Sequence, residues 1–172
     1  MLRFFDRLYL FCIWISGLSI LAMSLIIPWG VFARYVLGTG SSWPEPVAVL
    51  LMVTFTFMGA AAGYRAGAHI AVGMLVDHLP AGVQKIGAFL VHILMLVICG
   101  FVVVWGSKLV MGTMGQTLAD LPWLAVGWTY MPVPLGALLT LLFVLEVLFW
   151  GPAHHRAVVV FDHEGPTSAE AI

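Results

Sequence analysis

The chain has 172 residues but only seven Lys and Arg, eight Asp and Glu, and six His. Residues able to do chemistry are few enough to weigh one at a time. The segment GYRAGAHIAVG, residues 63–73, sets Arg65 and His69 four positions apart, a spacing that brings two side chains onto one face of a helix. Such a pair can form a ligand or proton site, anchor to lipid headgroups, or hold a contact with another protein. His92 stands inside an apolar run, and Glu146 closes another. A hydrogen-bonded packing residue is the simpler reading of His92, and a carboxylate near the interface that of Glu146. Haem held by two axial histidines needs a pair at matched depth on facing helices. His69, His78, His154, His155 and His163 offer His92 no such partner. Cys12 and Cys99, far apart in apolar surroundings, read as small buried residues. No nucleophile–base pair, phosphate-cradling loop or metal cluster stands out, so the chain does not read as an enzyme.

The elements that must position these residues follow from composition. Hydrophobic residues make up 62% of the chain and charged residues 9%, against about 25% charged in an ordinary soluble domain. That supply cannot cover a water-facing surface, so the expected solvent is lipid. The net charge of −1 provides no basic field for nucleic acid. Residues 8–33, 46–64, 86–107 and 121–145 contain no Asp, Glu, Lys or Arg. These gaps of 26, 19, 22 and 25 residues each fit one crossing, which takes about 20 apolar residues. The expected fold is all-α, with transmembrane helices at about 8–33, 46–64, 86–107 and 124–148. Arg3 and Arg7 precede the first run as in a secretion signal, but the run exceeds a signal's apolar core of roughly 7–15 residues. It reads as a retained helix.

Four crossings put both termini on one side. Arg3, Arg7, Arg65, Lys85 and Arg156 fall on that side, and Arg34 and Lys108 on the other. The positive-inside bias therefore predicts cytoplasmic termini and a cytoplasmic 65–85 loop. Ile70, Val72, Met74, Leu75 and Val76 make that loop too apolar for a water-exposed tether, and a short interfacial helix within 66–80 is expected. The outer loop 108–127 is half apolar and reads as partly embedded. Residues 1–150 form one transmembrane domain, and the polar stretch 151–172 reads as a disordered cytoplasmic tail.

Packing signals are plentiful. Gly59 and Gly63 bracket three alanines in a G-x-x-x-G row that Gly67 extends, and Gly136-Ala137 repeat the theme in the fourth run. Small residues let helix backbones approach closely in lipid, either within the chain or against another subunit. Pro134, near the start of the fourth run, belongs to the same packing set.

At these residues the chain resembles the small membrane subunit, DctQ type, of tripartite ATP-independent periplasmic (TRAP) transporters. VFARYVLGTGSSWPEP carries over Arg34, Tyr35, Trp43 and Glu45; TFTFMGAAAGYRAGAHIAV carries over Gly59, Arg65, His69, Ile70 and Val72. GQTLADLPWLAVGWTYMPVPLGALL carries over Thr117, Pro122, Tyr130, Pro134 and Gly136. The resemblance spans roughly residues 5–150. The chain departs from the family pattern at Gly73, where an acidic residue is common, and at Pro44 and Pro46 around Glu45.

The resemblance implies a multi-pass subunit of the bacterial inner membrane that supports a large elevator-type partner and helps a periplasmic binding protein dock. The cargo would be an organic acid anion such as a C4-dicarboxylate or sugar acid. Sodium ions would sit on the large partner, with no cofactor on this chain. Arg34, Tyr35, Trp43, Glu45, Gly59, Gly63, Arg65 and His69 become candidates for subunit contact or docking. Gly67, Pro134 and Gly136 become candidates for helix packing. For Arg65 the contact role stands beside snorkelling into the headgroups, and membrane lipids are partners throughout. Two other readings compete: a membrane-anchor or b-type haem subunit of a respiratory complex, and a self-contained small transporter.

Overall fold

A computed structural model describes residues 2–39, 42–66 and 81–150. The first apolar run forms α1 (Leu2–Tyr35), the second α2 (Pro44–Arg65) and the third α3 (Ala81–Thr113). A short antiparallel hairpin follows, β1 (Thr117–Leu118) and β2 (Leu121–Ala125), then α4 (Val126–Tyr130) and α5 (Pro132–Trp150). Four segments are long and apolar enough to cross a membrane: Arg3–Tyr35, Pro44–Arg65, Phe89–Thr113 and Val126–Phe149. The four-span, predominantly helical architecture is therefore present. The interfacial helix expected within 66–80 and the tail lie outside the described residues, apart from Ala66, which caps α2.

Each helix end has a local cause. Past α1, Gly38 takes φ +64°, a conformation that costs glycine little because it has no Cβ. The chain turns there, and Thr39 donates both its N–H (3.2 Å) and its hydroxyl (3.0 Å) to the Ala33 carbonyl. Helix α2 starts on Pro44 with Glu45 in its first turn. Proline lacks the N–H that would be unpaired there, and the acid complements the positive end of the helix dipole. The fourth span breaks at Met131, because Pro132 cannot donate to a carbonyl one turn back and instead begins α5. Between the third and fourth spans, the Val126 N–H reaches back to the Gln116 carbonyl (2.8 Å) and closes the hairpin. The hairpin shows how the loop between those spans satisfies its backbone, a detail that apolar composition alone leaves open.

The main packing runs α1 against α2, α2 against α5, and α5 against α3. Helices α1 and α3 thus flank a central α2–α5 pair, and their outward faces leave large side chains such as Trp14, Leu25, Phe89 and Phe101 exposed. In lipid those faces carry no penalty, so apolar residues cover both sides of every span. Five span hydroxyls are satisfied locally: Ser24, Thr54, Thr56, Thr113 and Thr140 each donate to a carbonyl four residues back at 2.8–2.9 Å. The central pair meets at Gly136. A Cβ there would lie 2.5 Å from the Phe57 Cβ and 2.9 Å from its carbonyl oxygen, so any side chain would force α2 and α5 apart. The buried core lies toward the end shared by the start of α1 and the ends of α2 and α5, around Tyr9, Cys12, Met58, Ala61, Phe143 and Val144.

Candidate functional site

Three helices deliver charge to that end of the core. Arg65 is the last residue of α2, Glu146 lies in the penultimate turn of α5, and Asp6 lies in the second turn of α1. The Arg65 guanidinium donates from Nε to Glu146 Oε2 at 2.8 Å and from Nη2 to Oε1 at 2.9 Å. Nη2 also donates to Asp6 Oδ1 at 2.6 Å. The two-pronged match to Glu146 uses the planar fork that only arginine offers. Arg65 is 1% exposed and Glu146 0%, whereas the Asp6 side chain keeps 24% of its surface open. Aromatic rings close the cluster: the Arg65 Cζ lies 5.3 Å from the Tyr9 ring centroid and 5.5 Å from that of Phe143. Both are within the range of cation–π attraction.

The structure adds to two expectations. The Arg65 side chain is turned into its own bundle and enclosed there. Glu146 is not simply a carboxylate at the interface but the principal partner of Arg65. The physical reason is desolvation. An unpaired charge taken out of water costs several kcal/mol, and pairing two such groups with each other offsets most of it. Sequence reasoning weighed Arg65 and Glu146 separately and passed over Asp6, Tyr9 and Phe143. A usable signal existed: Arg65 and Glu146 border charge-free gaps, and Asp6 lies just beyond Arg7 at the edge of another, all at what four crossings make the same side.

His69 and Gly67 lie outside the described residues. His92 stands in α3 with its ring edge-on to Tyr64, centroids 6.5 Å apart. Gly59 faces α1, where a Cβ would lie 3.1 Å from the Ser16 hydroxyl. Gly63 is half-buried in the last turns of α2. Pro134 lies against α3, with its Cβ and Cδ each 3.4 Å from where a Cβ on Gly106 would stand.

The opposite end of the molecule holds the other candidates. Arg34 and Tyr35 end α1, and Trp43 and Glu45 open α2, all four exposed. Arg34, Tyr35 and Glu45 line a groove of about 420 Å³ between the two helices. Trp43 stands beside that entry but not among its lining residues. Lys108 sits 4.7 Å from the Trp105 ring centroid, and Trp123 and Trp128 are exposed nearby in sequence. The structure therefore separates the described contact candidates between the two ends of the bundle, with half-buried Gly59 and Gly63 and buried Arg65 toward one end and exposed Arg34, Tyr35, Trp43 and Glu45 at the other. Among the described residues, no group of three His, Cys, Asp or Glu side chains is placed to hold a metal ion.

Comparison with known proteins gives this geometry a family. Residues 23–151 match the family described as tripartite ATP-independent periplasmic transporters, DctQ component. The chain is also 31% identical over 114 residues to a protein of Haemophilus influenzae named as a TRAP transporter small permease, covering 66% of this chain and 70% of that one. The family match includes Arg65 and Glu146 but begins after Asp6. It extends from the middle of α1 through the end of the fourth span, and on that breadth the chain belongs to the DctQ family as a small membrane subunit of a TRAP transporter.

Proposed function

We propose that this subunit is a static scaffold for a larger carrier in sodium-coupled, binding-protein-dependent uptake of an organic acid anion. The observation that carries the reading is where the charges lie. A carrier needs ionisable groups along its membrane path. The charge-free runs 8–33, 46–64, 86–107 and 121–145 contain no Asp, Glu, Lys or Arg. Arg65 and Glu146, at the ends of their runs, are engaged with each other. A bundle pinned at one end by a three-helix ion cluster and closely packed at its centre suits a part that stays still while a partner moves.

In this reading the large subunit holds the sodium ions and the cargo, typically a C4-dicarboxylate or sugar acid. The exposed outer face beside Trp43 and Tyr35 helps the periplasmic binding protein dock. The subunit sits in the bacterial inner membrane with both termini cytoplasmic, which places the Arg65 cluster on the inner side. Reconstitution tests the scheme. Liposomes containing this chain alone should take up no organic acid anion under a sodium gradient, and adding the large subunit and the binding protein should establish uptake. Sodium-driven uptake by this chain alone would overturn it.

A further inference from the structure

We infer that the groove between the outer halves of α1 and α2 seats a phospholipid whose headgroup carries both a phosphate and a primary ammonium. The groove's walls are apolar: Met23 and Ile27 on α1, Ala48 and Met52 on α2. Its mouth is not. Arg34 and Glu45 both line it, both are exposed, and neither forms an ion pair with any described residue. Tyr35, 80% exposed, stands beside them.

Dimensions favour a lipid. From Arg34 to Met23 is eleven helical residues, about 16 Å along the axis at roughly 1.5 Å per residue. That is half of a hydrocarbon core about 30 Å thick, so the apolar part of the groove runs the depth of one leaflet. The charged mouth then falls at headgroup level, where basic and aromatic side chains anchor. The volume of about 420 Å³ lies in the range of small-ligand sites and accommodates one acyl chain.

Charge complementarity selects the headgroup. Arg34 presents five donors suited to a phosphate. Glu45 accepts hydrogen bonds, which a primary ammonium donates and a trimethylammonium cannot. An anionic headgroup without an amine neutralises Arg34 but brings no positive charge to the Glu45 carboxylate, and its hydroxyls offer only neutral hydrogen bonds there. Phosphatidylethanolamine meets both requirements.

The test uses the purified full-length chain in detergent. It is titrated in turn with phosphatidylethanolamine, phosphatidylcholine and phosphatidylglycerol, and bound lipid is counted by native mass spectrometry. Phosphatidylethanolamine should bind tightest. Arg34→Gln should weaken its binding about fivefold, the worth of one basic residue near a membrane surface. Glu45→Gln should bring phosphatidylethanolamine down to the level of phosphatidylcholine. Met52→Trp should fill the groove and weaken all three lipids; Val49→Trp, at a second exposed position on the same wall, repeats that test if the first variant misfolds. Equal binding of the three lipids, unmoved by the charge variants, would mean ordinary annular lipid and overturn the inference. Cross-linking from Met52→Cys to another protein chain in the assembled transporter would show a protein occupant and overturn it as well.

Discussion

The two ends of this bundle treat charge in opposite ways. At the end where α2 and α5 terminate, Arg65, Glu146 and Asp6 close on one another, with Arg65 and Glu146 out of contact with solvent. At the other end Arg34 and Glu45 sit across the mouth of one groove and remain open. Both ends hold an arginine and an acid at the tips of α1, α2 or α5, so residue type does not separate them. Surroundings do. The Arg65 guanidinium lies between the rings of Tyr9 and Phe143 in the most buried part of the core, where leaving a charge unpaired is expensive. Arg34 stands exposed in the last turn of α1 beside exposed Tyr35, and there water or headgroups satisfy it at little cost. One end holds helices together, and the other leaves its charged groups open.

Removing Arg65 should break that contrast most severely. Arg65→Ala removes both guanidinium hydrogen bonds from the buried Glu146 carboxylate, a loss of about 3–5 kcal/mol for taking one member out of a buried ion pair. It should appear as a lower melting midpoint and a poorer yield of folded protein in detergent. Arg65→Lys keeps the charge but not the fork and should fall between wild type and alanine; equal stability of all three would contradict the pinning role. In the assembled transporter, Arg65→Ala should also reduce complex formation while the soluble partner's affinity for its cargo stays unchanged.

Gly136→Ala comes next. The added methyl would meet both the Phe57 Cβ and the Phe57 backbone, so the central pair must separate, at about 1–3 kcal/mol for overpacking. A melting midpoint equal to wild type would show that α2 and α5 do not approach this closely. Asp6→Asn should have a smaller effect, about 1 kcal/mol or less. Its carboxylate is partly exposed, screening weakens such pairs, and Arg65 keeps its bidentate bond to Glu146. Thermal melting of Asp6→Asn beside Arg65→Ala measures how unequally the two acids share the guanidinium.

Arg34→Ala should have the smallest effect on the isolated chain. No described group depends on it, so the melting midpoint should stay at the wild-type value. Uptake by the complete transporter should nevertheless fall, because Arg34 is open to a ligand outside the chain. A large loss of stability would instead place Arg34 with the pinned group and erase the difference between the ends.

Much of the fold was legible beforehand, for a reason specific to membranes. Lipid excludes unpaired charge, so the gaps between charged residues mark the crossings almost directly. The helix ends still moved: the run 86–107 became Ala81–Thr113, and the fourth span broke at Met131 before Pro132. Lysines and polar residues at a span's end remain helical because the backbone hydrogen bonds there stay favourable beyond the hydrocarbon. The site was less legible. Arg65 stood out by its rarity, yet it was read together with His69 as a ligand site, lipid anchor or protein contact, apart from Glu146. Its actual partners lie 59 and 81 residues away along the chain.

Sequence alone determined the number of crossings, the shared side of the termini and the scarcity of ionisable groups within the spans. All three follow from where charges are absent. Only the tertiary structure decided that Arg65 meets Glu146 and Asp6 while Arg34 remains open. In water, a polar face tells each helix which way to turn; in lipid every face is apolar, and periodicity carries little information about rotation. Which charges become partners then depends on how the helices pack, through contacts such as Gly136 against Phe57 that no local pattern specifies.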